Sequence, residues 1–376
     1  MTQTDPRIEA TPKAEVIYCA IELSGKNWRL AFSRGDLQVR ERIVDCGAID
    51  SVVREFELAE KRFGLIGQNR RLACYEAGRD GFWIYRALVA LGIEGLVIDP
   101  SSLEVDRRQK TVKTDHLDVR RILSALIRYD RGEKSLRVVR VPTVEQEDAR
   151  RINRERDRLK QESTGHRNRI RALLVLQGIR IKGVRGNAKA RARLLALKTP
   201  MGEPIPPLLR DEIERELGRL ELVEQHIEGI DKSRKEKLDA AAVQKVEHLT
   251  RLRGIGETGS QILVSELFGW RRFKNRRELG ALVGLTPAPF NSGGSERDQG
   301  ISKAGSRRLR ALLVQLSWGW LRYQPQSSLA RWYTARFSSG PRTRRIGIVA
   351  LARRLLIALW RFIEQGVVPE GAIMNS

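Results

Sequence analysis

The strongest constraint on the fold is a change of period partway along the chain. Up to about residue 125, short β-branched apolar runs alternate with segments of helical spacing. Val16–Leu23 (VIYCAIEL) suits a buried strand, and Trp28–Phe32 and Leu37–Ile43 suit its hairpin partners, with a turn around Ser33–Asp36. Ser51–Phe63 has helical spacing, Arg71–Tyr75 reads as a further strand, and Gly81–Leu91 as a helix. Gly95–Ile98 is a strand that stops at Asp99–Pro100. Thr114–Ile127 reads as a helix capped by Thr114, with Leu117, Ile122, Leu123 and Leu126 on its buried side. This order predicts a mixed α/β domain built on a central sheet.

From about Thr143 the strand signals fade and charge density rises. Val144–Gln177 carries apolar residues among many Arg and Glu. In Ile213–Ile230 the residues Ile213, Leu217, Leu220, Val223, Ile227 and Ile230 recur at three- and four-residue steps, the seam of a helical hairpin or short coiled coil. Beyond Leu249 the chain is again helical, with one break at Leu285–Lys303 and a basic amphipathic helix over roughly Ile346–Gln365. The expected division is 1–130, 131–247 and 248–376.

Lys and Arg number 70 against 46 Asp and Glu, a net charge of +24. Such an excess points to a polyanion, nucleic acid or an anionic membrane surface, ahead of a small-molecule substrate. The start, MTQTDPRIEATPKAE, has no apolar core and reads as neither signal peptide nor anchor, and no run approaches the roughly 20 apolar residues that span a bilayer. Nucleic acid is therefore the expected partner, and the cytoplasm, at the nucleoid, the expected location. Cys19, Cys46 and Cys74 form no CxxC pair and suggest free thiols in a reducing compartment. The four histidines do not cluster with them at zinc-ligand spacing.

Four carboxylates stand out. Glu22 and Glu76 close two strands, and Asp115 and Asp118 share a helix face at i, i+3. Such oxygen ligands suit Mg²⁺ or Mn²⁺, and a pair of these ions can clamp both oxygens of a phosphodiester exchange. Ordinary surface acids at strand ends are the competing reading. In LRGIGETGSQILVSEL, Gly254, Gly256 and Gly259 open an apolar helix, which resembles a helix-hairpin-helix offering Arg253 and the backbone of Gly254 and Gly256 to a phosphate. A plain turn between core helices is the alternative. In NSGGSERDQGISK, Ser292 precedes paired glycines, with Lys303, Arg307, Arg308 and Arg310 following. A hydroxyl there could attack phosphorus while the cations bind nonbridging oxygens. A polar loop is the alternative. The basic stretch Arg180–Arg193 and the last helix are further candidates for backbone contact.

Taken together, KTDHLDVRRIL, LRGIGETG and LTPAPFNSGGSERDQGISKAGSRRLR resemble the DEDD transposases, an insertion-sequence family whose recombinases use a bridge RNA. The resemblance implies a RuvC-like (RNase H-like) N-terminal domain, a coiled-coil segment and a mostly α-helical C-terminal transposase domain with a nucleophilic serine. It places the family's acids on Glu22, where Asp is usual, and on Glu76, Asp115 and Asp118, holding Mg²⁺ or Mn²⁺. The nucleophile falls on Ser292, with Ser295, Ser302 and Ser306 as neighbouring candidates. Target and donor DNA, a structured guide RNA and a dimer or tetramer are the implied partners. A metal-dependent nuclease or junction resolvase without a serine nucleophile, or a non-catalytic nucleic-acid-binding remnant, are the alternatives.

Overall fold

The computed structural model describes residues 15–65, 69–103, 115–133, 136–234, 238–292 and 295–375. By internal contacts the chain divides into two compact units, Met1–Pro142 and Thr143–Ser376.

The first unit is a five-stranded sheet between helices. Its strands are β1 (Val16–Leu23), β2 (Asn27–Ser33), β3 (Arg40–Asp45), β4 (Arg70–Glu76) and β5 (Glu94–Ile98), in the order β3-β2-β1-β4-β5. β1–β2 and β2–β3 are antiparallel, while β1–β4 and β4–β5 are parallel. β3 begins three residues later than the apolar spacing predicted. Asp36 Oδ1 accepts from the Gln38 backbone N–H (2.9 Å), which lengthens the turn and leaves Leu37 fully exposed. Alternate residues of a strand face opposite sides, and here each side has its own core. Ile17, Cys19, Ile21, Leu30 and Phe32 pack with α1 (Ile49–Phe63) and α2 (Trp83–Ala90) through Val52, Phe56, Ile84 and Leu88. Tyr18, Ala20, Leu72 and Cys74 pack with α3 (Asp115–Asp130) through Val119, Ile122, Leu123 and Leu126. Three of the four predicted buried residues of α3 are thus buried, and the side chain of Leu117, like the Thr114 cap, lies outside the described residues.

The second unit opens with α4 (Val144–Asp148), capped by Thr143 and Gln146 acting reciprocally, and then α5 (Arg151–Val175). α6 (Ala188–Leu195) begins at an Asn187 cap, so the second half of the basic stretch is helix. α5 pairs antiparallel with α7 (Pro207–Ser233) within the one chain. Arg156 reaches Asp231 near one end (2.6 Å), and Leu174 meets Ile213 in the apolar cluster at the other. Of the predicted seam, Ile213, Leu217, Leu220 and Val223 are buried, whereas Ile227 and Ile230 are only half-buried. There the pair interface turns polar.

α8 (Ala240–Thr250), α9 (Glu257–Leu263), a π-helical turn (Val264–Phe268) and α10 (Arg276–Leu282) follow. The Leu285–Lys303 break in the helical pattern is a hairpin of β6 (Pro287–Ser292) and β7 (Ser295–Ile301). α11 (Arg307–Tyr323), α12 (Ser328–Phe337) and α13 (Pro341–Gln365) complete the unit. Leu249, Leu263, Leu267, Leu313, Trp320, Leu355 and Leu359 form its main core. No helix among the described residues is long and apolar enough to cross a membrane.

Candidate functional site

The acids of the first unit are brought to one end of the sheet by strand register and helix direction. Ile21 pairs with Tyr75 across parallel β1 and β4, so Glu22 and Glu76, each the next residue, leave the sheet side by side. By alternation both lie on the face of Ala20 and Cys74, the face that α3 covers. Burial pushes the Cys74 thiol pKa up, and the charge of Glu76 pushes it further, as a carboxylate on that face would.

α3 runs antiparallel to β1 and β4. Its last residue, Asp130, accepts from the Tyr18 hydroxyl (2.8 Å) and from Arg70 (2.7 Å), both near the strand starts. Its first turn, with Asp115 and Asp118, therefore lies toward the strand ends where Glu22 and Glu76 emerge. Arg120, in the next turn, pairs with Glu41, which sits opposite Ala31 and so at the level of Ala20. Asp118 is partly exposed and pairs with Arg121 at 3.3 Å. The side chain of Asp115 lies outside the described residues. Among the described residues no three His, Cys, Asp or Glu side chains close into a metal-sized cluster. What the fold supplies is a shared sheet end to which Glu22, Glu76 and the first turn of α3 are directed.

In the second unit, Ser292 is the last residue of β6 and pairs with Ser295. Its side chain, and Gly293 and Gly294, lie outside the described residues. The base of this hairpin is firmly tied. Ser302 N–H donates to Thr286 O (2.8 Å), Lys303 N–H to Gly284 O (3.2 Å) and Ser306 N–H to Leu282 O (3.1 Å). Gly305 sits at φ +132°, where a Cβ would overlap the Leu282 carbonyl oxygen. Arg310 donates to the carbonyls of Val283 (3.0 Å) and Lys303 (3.1 Å), so its guanidinium staples this base.

Arg308 is also engaged internally. It pairs with Asp157 of α5 and, at 2.8 Å, with Glu266 in the π-helical turn. Glu266 is 9% exposed and also takes a two-pronged contact from Arg154 (2.9 and 3.0 Å). Burial raises the Glu266 pKa, but the Arg154 hydrogen bonds and the charges of Arg154, Arg308 and Arg150 outweigh it and hold the carboxyl below its usual range. Sequence reasoning missed this cluster. Its one local signal is a lone Glu within the apolar run ILVSELF.

The LRGIGETG segment joins α8 to α9. Gly254 has φ +90° and packs on Tyr323, and Gly256 is the N-cap position of α9. The segment 366–375 straps this loop. Arg253 N–H donates to Ile373 O (3.1 Å), and the buried Gln324 amide donates to both Arg253 O and Ile373 O (2.8 Å each). Of the predicted backbone-binding residues, Arg253, Lys303 and Arg307 are exposed, whereas Arg308 and Arg310 make the internal bonds above.

Comparison with known proteins places these features. The sequence model of the transposase IS116/IS110/IS902 family matches residues 246–332, from within α8 through the serine hairpin into α12. Over 96% of its length the chain is 39% identical to y4rJ of Sinorhizobium fredii, a protein named as a transposase, and covers 95% of it. It is 29% identical to the transposase for insertion sequence element IS1328 of Yersinia enterocolitica, over 83% of this chain and 91% of that one. The transposase for insertion sequence element IS1111A of Coxiella burnetii is 29% identical over 61% of this chain and 60% of its own. The chain belongs to the IS110/IS116 family of insertion-sequence transposases.

Proposed function

We propose that the chain is an RNA-guided DNA recombinase that cuts and rejoins strands through a covalent serine link. One observation carries the metal half of this reading. Parallel β1 and β4 and the antiparallel α3 put Glu22, Glu76, Asp115 and Asp118 at one end of one sheet. That arrangement supports a RuvC-like domain whose four carboxylates would hold Mg²⁺ or Mn²⁺. When bound, such ions neutralise charge on a scissile phosphate. Glutamate at position 22 keeps the carboxylate on a longer stem, so the reading retains it as a ligand.

The tied hairpin base supports Ser292 as nucleophile. Its hydroxyl oxygen would bond to phosphorus as one sugar–oxygen P–O ester bond breaks. The hydroxyl proton would pass to the departing oxygen, which leaves as a free strand-end hydroxyl, and the phosphoserine ester would keep the ester bond for rejoining. Target and donor DNA are the substrates, and a structured bridge RNA supplies sequence choice by pairing. The protein's share is then mostly backbone contact, for which exposed Arg253, Lys303 and Arg307 are available. A dimer or tetramer would combine serine and acids from different copies.

The test is adduct formation on a labelled DNA carrying the element's ends, with the co-purified RNA present. Ser292→Ala abolishes the protein–DNA adduct and leaves binding intact, and Asp118→Asn removes metal-dependent turnover. An adduct that persists in Ser292→Ala would overturn the serine assignment, whereas metal-dependent hydrolysis products with free ends and no adduct would select a resolvase-like nuclease instead.

A further inference from the structure

The arginines of this chain fall into two populations. In the α5–α7 pair many are neutralised by partners: Arg156, Arg167, Arg169 and Arg219 contact a carboxylate, and Arg191 of α6 contacts Glu214 of α7. The 65 residues from Gln299 to Ile363 are different. They hold thirteen Lys and Arg and no Asp or Glu. Arg308 apart, none of these cations is ion-paired among the described residues.

The concentration is greatest where α12 turns into α13. The Arg354 guanidinium lies over the Trp332 ring at 3.9 Å from its centroid, and Arg336 lies over the same ring at 5.9 Å. Two like charges thus share one indole. Burial lowers the Arg354 pKa, and the charge of Arg336 lowers it further. Phe337 packs on Gly347 and the Tyr333 hydroxyl donates to the Arg344 carbonyl (3.3 Å), so the last turn of α12 meets the first turns of α13. Arg342, Arg344 and Arg345 are exposed in the first turns of α13, and Arg336 is exposed in the last turn of α12. The start of a helix is its positive end and favours anions over cations. α13 begins with no acidic residue and no side-chain cap. A folded protein gains nothing by gathering unpaired arginines on one another and on a positive helix end. The arrangement is costly alone and is relieved by an external anion.

We infer that the α12–α13 corner, with Arg336, Arg342, Arg344, Arg345 and Arg354, is a docking surface for the phosphodiester backbone of nucleic acid. Planar guanidinium groups pair two-pronged with phosphate oxygens. Trp332 holds two of them in place, which lowers the entropy lost on binding. The inference rests on the reading of the chain as a nucleic-acid recombinase, but it concerns grip alone and does not involve Ser292 or the acids.

The test is equilibrium binding of the full chain, by fluorescence anisotropy, to a random-sequence DNA duplex and separately to transfer RNA, across a salt series. The variant is R336Q/R345Q/R354Q. Its control is R42Q/R128Q/K232Q, an equal charge loss at cations that are already ion-paired. Each lost phosphate contact lowers the slope of log K against log salt by about 0.9 on duplex DNA, so three contacts cost ~500-fold in affinity at 0.1 M salt. The expected result is that loss for the patch variant, on whichever polymer the corner grips, a few-fold loss for the control, and a thermal midpoint unchanged or raised because repulsion is relieved. R336K/R345K/R354K restores the slope. A patch variant that matches its control on both polymers overturns the inference. So does a Lys variant that fails to restore the slope. None of these outcomes touches the adduct test of Ser292, and an adduct that persists in Ser292→Ala leaves this inference standing.

Discussion

Replacing Glu266 by Gln tests whether the buried ion cluster beside α11 holds the second unit together. Glu266 accepts two hydrogen bonds from Arg154 (2.9 and 3.0 Å) and one from Arg308 (2.8 Å). Gln keeps the shape but loses the charge, and it turns an NH₂ toward guanidinium donors. Removing one partner of a buried pair costs about 3–5 kcal/mol. Arg154 is more than half exposed and regains water, so the lower end applies, about 3 kcal/mol. For a unit of this size that is a fall in thermal midpoint of roughly 6–12 °C. The Glu266 pKa is depressed in the folded state, so its contribution is complete above the unfolded carboxyl pKa and is lost as pH falls through the lower folded value. Urea titrations at pH 7 and at steps below about pH 4.5 read both effects. Glu266→Gln should lower the midpoint at pH 7 and flatten this part of the acid limb. A cost under about 1 kcal/mol at pH 7, which is what an exposed pair is worth, would refute the reasoning.

Other expectations follow from single sites. Asp118 is partly exposed and its Arg121 pair is a surface one, so Asp118→Asn should cost under about 1 kcal/mol by thermal melt while DNA cleavage is lost. Gly305→Ala forces a β-carbon onto the Leu282 carbonyl at φ +132°, and should cost about 3 kcal/mol or more and raise protease sensitivity within β6–β7. Gln324→Ala leaves two carbonyls and the Ile373 N–H without their buried partner, at about 2–4 kcal/mol. Hydrogen exchange should then rise in 366–375 and in the Arg253 loop together.

How much of this was legible in the sequence depended on how local each cause is. β1 was read to the residue because VIYCAIEL is a β-branched run buried on both faces. α3 was read from its period, and with it the shared face of Asp115 and Asp118. β6 and β7 were missed as strands because β6 (PAPFNS) carries two prolines and β7 (SERDQGI) is polar up to its last residues. Backbone pairing of Asn291 with Glu296 and Ser292 with Ser295 makes them, and no apolar alternation announces it. The two glycines between Ser292 and Ser295 were nonetheless a hairpin signal. The Arg154–Glu266–Arg308 cluster joins residues 112 and 42 positions apart, and no spacing rule reaches that far. The internal roles of Arg308 and Arg310 were invisible for the same reason.

The two populations of arginine bear on what a whole-chain charge of +24 means. Read as one number, it says only that a polyanion is nearby. Much of the positive charge is spent inside the fold. The Glu216 carboxylate, 2% exposed, takes hydrogen bonds from His166, Arg169 and Arg219, and Asp231 takes Arg156 and Arg234. Those groups are engaged within the fold, and the arginines among them are not available to a phosphate without breaking a pair. The cations from Gln299 to Ile363, Arg308 and Arg310 aside, carry no such obligation. A phosphate can meet them without displacing a carboxylate, and the affinity gained is offset by no broken salt bridge. Grip on nucleic acid should therefore be governed by where carboxylates are missing rather than by where arginines are most numerous. On that reasoning the arginine-dense helices α5 and α7 should contribute less to the salt dependence of binding, residue for residue, than the sparser but acid-free corner of α12 and α13.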